Sequence, residues 1–408
     1  VPQQCKFYIA LPLMDELEYI SPLLDCIKQQ AYKSFELFVC VNQPDTWWDD
    51  KDTIKVCEGN AATISALKRI SDFPVHIIDK SSKGRGWDEK NYGVGWARKT
   101  VMDAIDSVAD KNDIILSLDG DTTFDPGYFL SIIEGFAKHS KVNAISVPYY
   151  HPLSGHLDAD RAILRYEIYM RYYALNLLRI NNPYAFSALG SAIACKVSAY
   201  RAIGGLTPHK SGEDFYFLQK LRKYGPIIIH HTQKVYPAAR FSDRVFFGTG
   251  PAMIKGAGGD WLSYPIYKYE LFDEVKATFD AFPDLFEKDT ETPMSGFLNE
   301  KFKTDSIWQP LRKNFKTTDK FVRACQHKVD GLRILQYIKW GQGQRKDGDV
   351  ENLLQFLRNH YSGDPLILAV DWGNFSFELS DLEILKTIRN SLAEKEEVWQ
   401  QKIKILNG

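Results

Sequence analysis

Asp113-Ile114-Ile115-Leu116-Ser117-Leu118-Asp119-Gly120-Asp121 is the stretch on which the fold turns. A near-continuous apolar run predicts a strand buried on both faces of a sheet. This one stops abruptly at a pair of carboxylates with a glycine between them, and glycine permits the sharp turn that brings both acids to one side. Upstream, the runs KFYIALPL, FELFVCVN and FPVHIID read as further strands. Helical stretches separate them, from Leu17 to Gln30, from Ala61 to Ile70 and from Gly93 to Val108. That alternation predicts an α/β fold, a doubly wound, mostly parallel sheet with helices on both faces. Ligands of such sheets bind beyond the carboxyl ends of the strands, so the residues just after each apolar run are the candidates for chemistry.

Downstream the pattern changes. From His151 a long aromatic-rich helical stretch begins, and after Trp261 helical periodicity dominates. Two regions are expected, a sheet domain over 1–264 and a mainly helical one over 265–408. Ser380 with Glu383 has the spacing of a capping box at the head of the last long helix. The 408 residues carry 51 Lys and Arg against 52 Asp and Glu, so no global charge draws the chain to nucleic acid or to an acidic membrane. Six cysteines, none in a C-x-x-C pair, predict a reducing compartment and no structural zinc. No apolar run approaches the roughly 20 residues needed to span a bilayer, and no secretory signal is visible. Val1 is compatible with loss of an upstream piece. A cytoplasmic protein, or one held peripherally at the inner membrane face, is expected.

Asp119 and Asp121 form a D-x-D pair whose hard oxygens suit Mg2+ or Mn2+. Glu213 and Asp214 follow Gly212 and open the segment FYFLQKLRKYG, where one acid caps the helix and the other faces a cleft. Gly93 to Lys99 reads as a turn feeding a helix, with Arg98 and Lys99 in reach of phosphate oxygens. It lacks the third glycine of a dinucleotide fingerprint, and no P-loop occurs. Lys83-Gly84-Arg85-Gly86 reads as a basic surface loop, and His230-His231 as structural histidines before metal ligands. The stripe Tyr166, Tyr169, Tyr172 and Tyr173 has core spacing; a sugar platform is the sharper reading.

Taken in order, these motifs resemble the inverting glycosyltransferases of family 2, with their GT-A fold, over residues 6 to 250. Pro12-Leu13-Met14-Asp15-Glu16 looks like the family's P-x-Y-N-E turn, with Met14 and Asp15 replacing Tyr and Asn. Asn42 falls where the family contacts the nucleobase, and Gly93 to Arg98 is similar to its G-x-x-x-A-R segment. Asp119-Gly120-Asp121 matches the metal and diphosphate motif. Gly190 to Gly205 resembles the strand and turn before the E-D motif. The resemblance implies a nucleotide-diphosphate sugar donor bound by Pro12, Glu16, Asn42, Gly93, Arg98, Asp119, Asp121, Arg240 and Arg244, with Mn2+ or Mg2+ on the two aspartates. It implies Gly190 and Glu213 on the acceptor side and Asp214 as catalytic base. Glycan or cell-envelope polysaccharide synthesis is the setting it suggests, with a glycan or lipid-linked acceptor and no nucleic-acid partner. The processive signature Q-x-x-R-W is absent, and Pro237 stands where many relatives carry a histidine, leaving Arg240, Ser242 and Arg244 to meet the diphosphate. A nucleotidyltransferase making nucleotide sugars, or a non-catalytic sugar-binding protein, are the alternatives. LPLMDE lacks the glycine-rich phosphate loop of the first, and two intact acidic motifs argue against the second.

Overall fold

The computed structural model describes residues 5–229, 232–241, 249–344 and 347–406. The chain divides into two compact units, Val1–Ile163 with Phe186–Gly258, and Leu164–Ala185 with Gly259–Gly408.

The first unit is built on β1 (Phe7–Leu13), whose seven residues are all buried. Around it run α1 (Leu17–Lys28), β2 (Phe35–Asn42), α2 (Ile54–Leu67), β3 (Val75–Lys80), α3 (Val94–Val108) and β4 (Ile114–Ser117). β1 pairs in parallel with β2 on one side and with β4 on the other, and β2 pairs in parallel with β3. Then come β5 (Thr122–Phe124), α4 (Tyr128–Lys138), β6 (Ala144–Ser146) and α5 (Leu157–Arg179). β7 (Ile193–Lys196), α6 (Val197–Ala202), α7 (Glu213–Tyr224), β8 (Ile227–Ile228), β9 (Val235–Pro237) and α8 (Thr249–Ala257) follow.

The unit's main-sheet strands lie in the order β8-β6-β7-β4-β1-β2-β3, and β5 pairs with β9 separately. β7 runs antiparallel to both β4 and β6, so the sheet is mostly parallel. The chain moves outward through β1, β2 and β3, then returns to the other side of β1 through β4. α1 packs on α2, α3 packs over β1 and β2, and helices cover both faces of the sheet. The reversal makes a topological switch point at the carboxyl ends of β1 and β4. Cys40 and Cys195 sit in strands, where burial pushes both thiols up to about 12.

The second unit continues with α9 (Glu270–Asp280), α10 (Ser295–Phe302), α11 (Gln309–Asn314), α12 (Thr318–Lys328), α13 (Gly331–Gly343), α14 (Asp349–His360), α15 (Leu366–Ala369) and α16 (Leu382–Ile403). It also takes in α5 from Leu164 onward, where the sequence reading drew an unbroken first domain to 264. A buried ionic network joins these turns of α5 to α16. Glu167 accepts from Arg171 Nε (2.9 Å) and from Arg389 Nη1 (3.0 Å), and Arg171 Nη1 donates to Glu396 (2.7 Å). All four side chains are nearly inaccessible, and charges so placed hold together only as a set. Tyr166, Tyr169 and Tyr173 pack edge-on against Tyr264, Tyr267 and Phe272, and Tyr172 donates to the Tyr267 carbonyl (2.6 Å). The tyrosine stripe is therefore core. The last long helix is capped by Asp381, whose carboxylate accepts from the Glu383 N–H (2.9 Å). Ser380 instead receives the Ser376 N–H (2.9 Å), so the box read from Ser380 and Glu383 does not form. Among the described residues no helix is long and apolar enough to cross a membrane.

Candidate active site

The switch point gathers two clusters of charge. The first begins where β1 ends. Pro12 lies inside the strand opposite Cys40, buried, so the turn itself is made by residues 14–16. Asp15 adopts a positive φ of 56°, a conformation that Asp tolerates better than most residues, and its N–H donates to Asn60 Oδ1 (3.0 Å). Glu16 heads α1 without capping it. Its carboxylate receives Arg240 Nη2 on both oxygens, each at 2.8 Å. The same guanidinium donates through Nε to Asp121 Oδ2 (2.8 Å) and lies 4.3 Å over the Tyr19 ring. Burial works against the Arg240 charge, but Asp121 and Glu16 outweigh it and raise its pKa. β9 delivers Arg240 here: Thr122 pairs with Pro237, and the Ala238 N–H donates to the Asp121 carbonyl (3.0 Å). Arg244, Ser242 and His230-His231 lie outside the described residues.

Gly120 sits closely packed at the turn: a Cβ there would lie 2.7 Å from Leu13 Cδ2 and 3.0 Å from Glu16 Cγ, so a side chain would have to push both of those side chains aside.

The second cluster centres on Arg98, the fifth residue of α3. Its Nη2 donates to Asp119 Oδ1 (2.6 Å) and its Nε to Glu213 Oε1 (3.2 Å). Nη1 reaches Ser117 Oγ, the Leu118 carbonyl (3.4 Å) and the Gly190 carbonyl (3.2 Å). Arg98 is only 2% exposed, and all three nitrogens are engaged. Burial again opposes the charge, and Asp119 and Glu213 overcome it. This differs from the expectation that Arg98 reaches a phosphate. Gly190 faces the guanidinium directly, since a Cβ on it would collide with Arg98 and lie 2.9 Å from Asp119 Oδ2.

Glu213 and Asp214 start α7 behind Gly212, which takes a left-handed φ of 72°. Neither side chain caps the helix by the usual bond; Asp214 Oδ1 accepts from the Phe215 N–H (2.7 Å). Glu213 is buried, and its carboxyl is raised by that burial against the pull of Arg98. Asp214, partly accessible, is pushed up to about 7, first by desolvation and then by the adjacent Glu213. Two neighbouring carboxyls in a poorly solvated place do not both ionise readily.

Asn42 holds this framework together. Its Nδ2 donates to the Leu13 carbonyl (2.9 Å) and its Oδ1 accepts from the Gly93 N–H (3.1 Å), which fixes the β1 turn against the head of α3. Beneath it, Asn60 donates to Gln43 Oε1 (2.8 Å). Ser117, Asn60 and Tyr19 are contributors that sequence reading missed. Ser117 did carry a signal, being the one hydroxyl inside the run DIILSL, and a buried polar residue is the informative kind.

For a divalent cation the donor set is small but suitable. Among the described residues no group of three His, Cys, Asp or Glu is assembled to hold a metal. Asp119 and Asp121 each give one oxygen to a guanidinium and keep the other. Counting Glu16, Asp119, Asp121, Glu213 and Asp214 against Arg98 and Arg240, the two clusters hold an excess of negative charge. Two carboxylates fit a hard cation that completes its shell with phosphate oxygens and water.

No family model and no curated protein sequence matches the chain. Among solved structures, it is similar to residues 1–349 of TarS from S. aureus in complex with UDP-GlcNAc, at 12% identity over 84% of this chain and 94% of that one, with a TM-score of 0.41. It is also similar to the mannosyltransferase PcManGT from Pyrobaculum calidifontis in complex with GDP-Man and Mn2+, at 13% identity over 98% and 88%, with a TM-score of 0.37. A mycobacterial protein matches at 14% identity over 63% and 76%, with a TM-score of 0.34. With TM-scores below 0.5, these likenesses carry no argument about what this chain does.

Proposed function

We propose that the protein is a glycosyltransferase of the inverting family 2 type, with a GT-A catalytic domain, moving a sugar from a nucleoside-diphosphate donor to a hydroxyl acceptor. The observation that carries this reading is the single constellation formed by the two acidic motifs. Asp119 and Glu213, 21 and 115 residues from Arg98 along the chain, meet on its one guanidinium at the switch point where α/β sheets bind ligands.

The chemistry follows from the charges. Asp214 takes the acceptor's hydroxyl proton while that oxygen forms its bond to the anomeric carbon. The bond from that carbon to the diphosphate oxygen breaks, and its electron pair leaves with the nucleoside diphosphate. Attack from the face opposite the leaving group inverts the centre. A carboxyl near 7 is matched to proton transfer at neutral pH. Glu213 lies on the acceptor side. Asp119 and Asp121 would hold the Mn2+ or Mg2+, whose contribution when bound is to offset the growing charge on the departing diphosphate. Arg240, with one nitrogen beyond its bonds to Glu16 and Asp121, is placed to add to that. The acceptor is a glycan or a lipid-linked saccharide, and the setting is polysaccharide synthesis.

The test is incubation with a panel of nucleotide sugars, Mn2+ and simple saccharide acceptors. Release of nucleoside diphosphate with a product of opposite anomeric configuration is expected. Release of pyrophosphate would make the protein a nucleotidyltransferase, and binding without release a sugar-binding protein; either result overturns this reading.

A further inference from the structure

Arg98 is more heavily bonded than any single role at a ligand would require. One buried cation gathers the head of α3, the end of β4 through Ser117, Leu118 and Asp119, the Gly190 turn before β7, and the head of α7 through Glu213. Two other positions are adapted to it. Gly190 has no side chain because one would occupy the guanidinium's place. Ser117 places a fully buried hydroxyl in an otherwise apolar strand and aims it at Nη1. Every nitrogen of Arg98 is bonded to protein and the side chain is almost wholly buried, so its charge is directed at the framework before any phosphate.

We propose that Arg98 is a positioning residue that ties the donor-side Asp119 to the acceptor-side Glu213 and so sets the place of Asp214 relative to the D-x-D turn. The proposal rests on the glycosyltransferase reading above and deepens it. The physical argument is geometric. A planar guanidinium presents five N–H groups in a rigid fork, whereas an ammonium is a single point on a flexible stem. Lysine at 98 keeps the charge but cannot hold Asp119, Glu213, Ser117 and the Gly190 carbonyl together. The carboxylates of Asp119, Glu213 and Asp214 would then settle at distances set by their repulsion. Misplacement of about 1 Å in a reacting constellation costs about 10²-fold in rate.

Arg98→Lys in the full chain tests this, with kcat, donor KM, the dissociation constant of the nucleoside diphosphate and the melting temperature measured together. The expected result is a folded protein whose kcat falls about 10²-fold while donor KM and nucleotide affinity change by less than about threefold. Ser117→Ala, which keeps the guanidinium and removes one acceptor, should give the same split at a smaller size, and it decides the matter if Arg98→Lys does not fold. A kcat within about threefold of wild type in the deciding variant overturns the proposal, leaving Arg98 a scaffold residue. Nucleotide affinity weakened about tenfold or more with kcat retained also overturns it, and makes Arg98 a phosphate ligand. A wild type that releases no nucleoside diphosphate from any donor overturns the functional reading and this proposal together, which distinguishes that failure from the other two.

Discussion

Replacing Asp214 by asparagine should make the protein more stable and far less active. The ordinary value for the Asp214 carboxyl is 3.8, and burial and Glu213 push it up to about 7. The folded state therefore holds this proton more tightly than the unfolded state does. Stability is lost as pH rises from the unfolded value through the folded one, because there the native protein must ionise a group that the unfolded chain ionises freely. Fully expressed, that displacement has a ceiling of about 4 kcal/mol. The group is partly accessible and shares its titration with Glu213, so about 1–3 kcal/mol is the working expectation. Asparagine keeps the acceptor for the Phe215 N–H and carries no charge to desolvate. Urea unfolding of wild type and Asp214→Asn between about pH 4 and pH 8 should show curves that nearly coincide at the acid end and separate upward, with the variant more stable. Sugar transfer by the variant should fall about 10²- to 10⁴-fold, and wild-type transfer should decline as pH drops below about 7, since a protonated base cannot act. A stability difference that is absent or independent of pH would refute the raised pKa and the argument built on it.

Three other substitutions probe separate parts of the structure. Gly190→Ala forces a methyl group into the space of Arg98 and Asp119 and should cost about 1–3 kcal/mol; an unchanged unfolding midpoint would mean that the turn gives way freely. Mn2+ titrated calorimetrically into the protein alone should bind weakly, and tightly once a nucleoside diphosphate is present, because among the described residues Asp119 and Asp121 supply two carboxylates of a larger shell; Asp121→Ala should abolish the nucleotide-dependent part, and tight binding without nucleotide would count against that account. Glu167→Ala removes the buried carboxylate that Arg171 and Arg389 share in the second unit and should destabilise by about 3–5 kcal/mol, whereas a loss below about 1 kcal/mol would show that their other partners suffice.

The alternation of strand and helix was legible because buried strands such as FELFVCVN are near-continuous apolar runs, with Glu36 and Asn42 only towards the ends. The acidic motifs were legible because each follows a recognisable break, at Asp119 after an apolar run and at Glu213 after a glycine. What joins them was not. That Arg98 turns inward depends on Ser117, Gly190 and Glu213, up to 115 residues away, and no local spacing encodes such a meeting. The framework role of Asn42 was not legible for a similar reason: both ends of its side-chain amide bind main chain at Leu13 and Gly93, far away in sequence. The division into compact units falls inside α5, where the sequence shows one continuous helix. Only the partners Arg389 and Glu396, far along the chain, reveal that its later turns belong elsewhere. At Ser380, two helix-start patterns overlapped, and the carboxylate next to the helix displaced the hydroxyl one residue away.

The interrupted second unit has a consequence for the birth of the protein. Glu167 leaves the ribosome 222 residues ahead of Arg389, and at about 5–20 residues per second that interval is about 10 to 45 seconds. Throughout it, the later turns of α5 carry Glu167 and Arg171 without the α16 side chains that will pair with them, and for the first part of it Tyr172 also lacks the Tyr267 carbonyl that receives its hydroxyl. The nascent helix is thus a long-lived, half-finished surface, attractive to chaperones and to neighbouring chains on the same message. Ribosomes halted before α16 would leave it permanently so, and such truncated products should accumulate in aggregates.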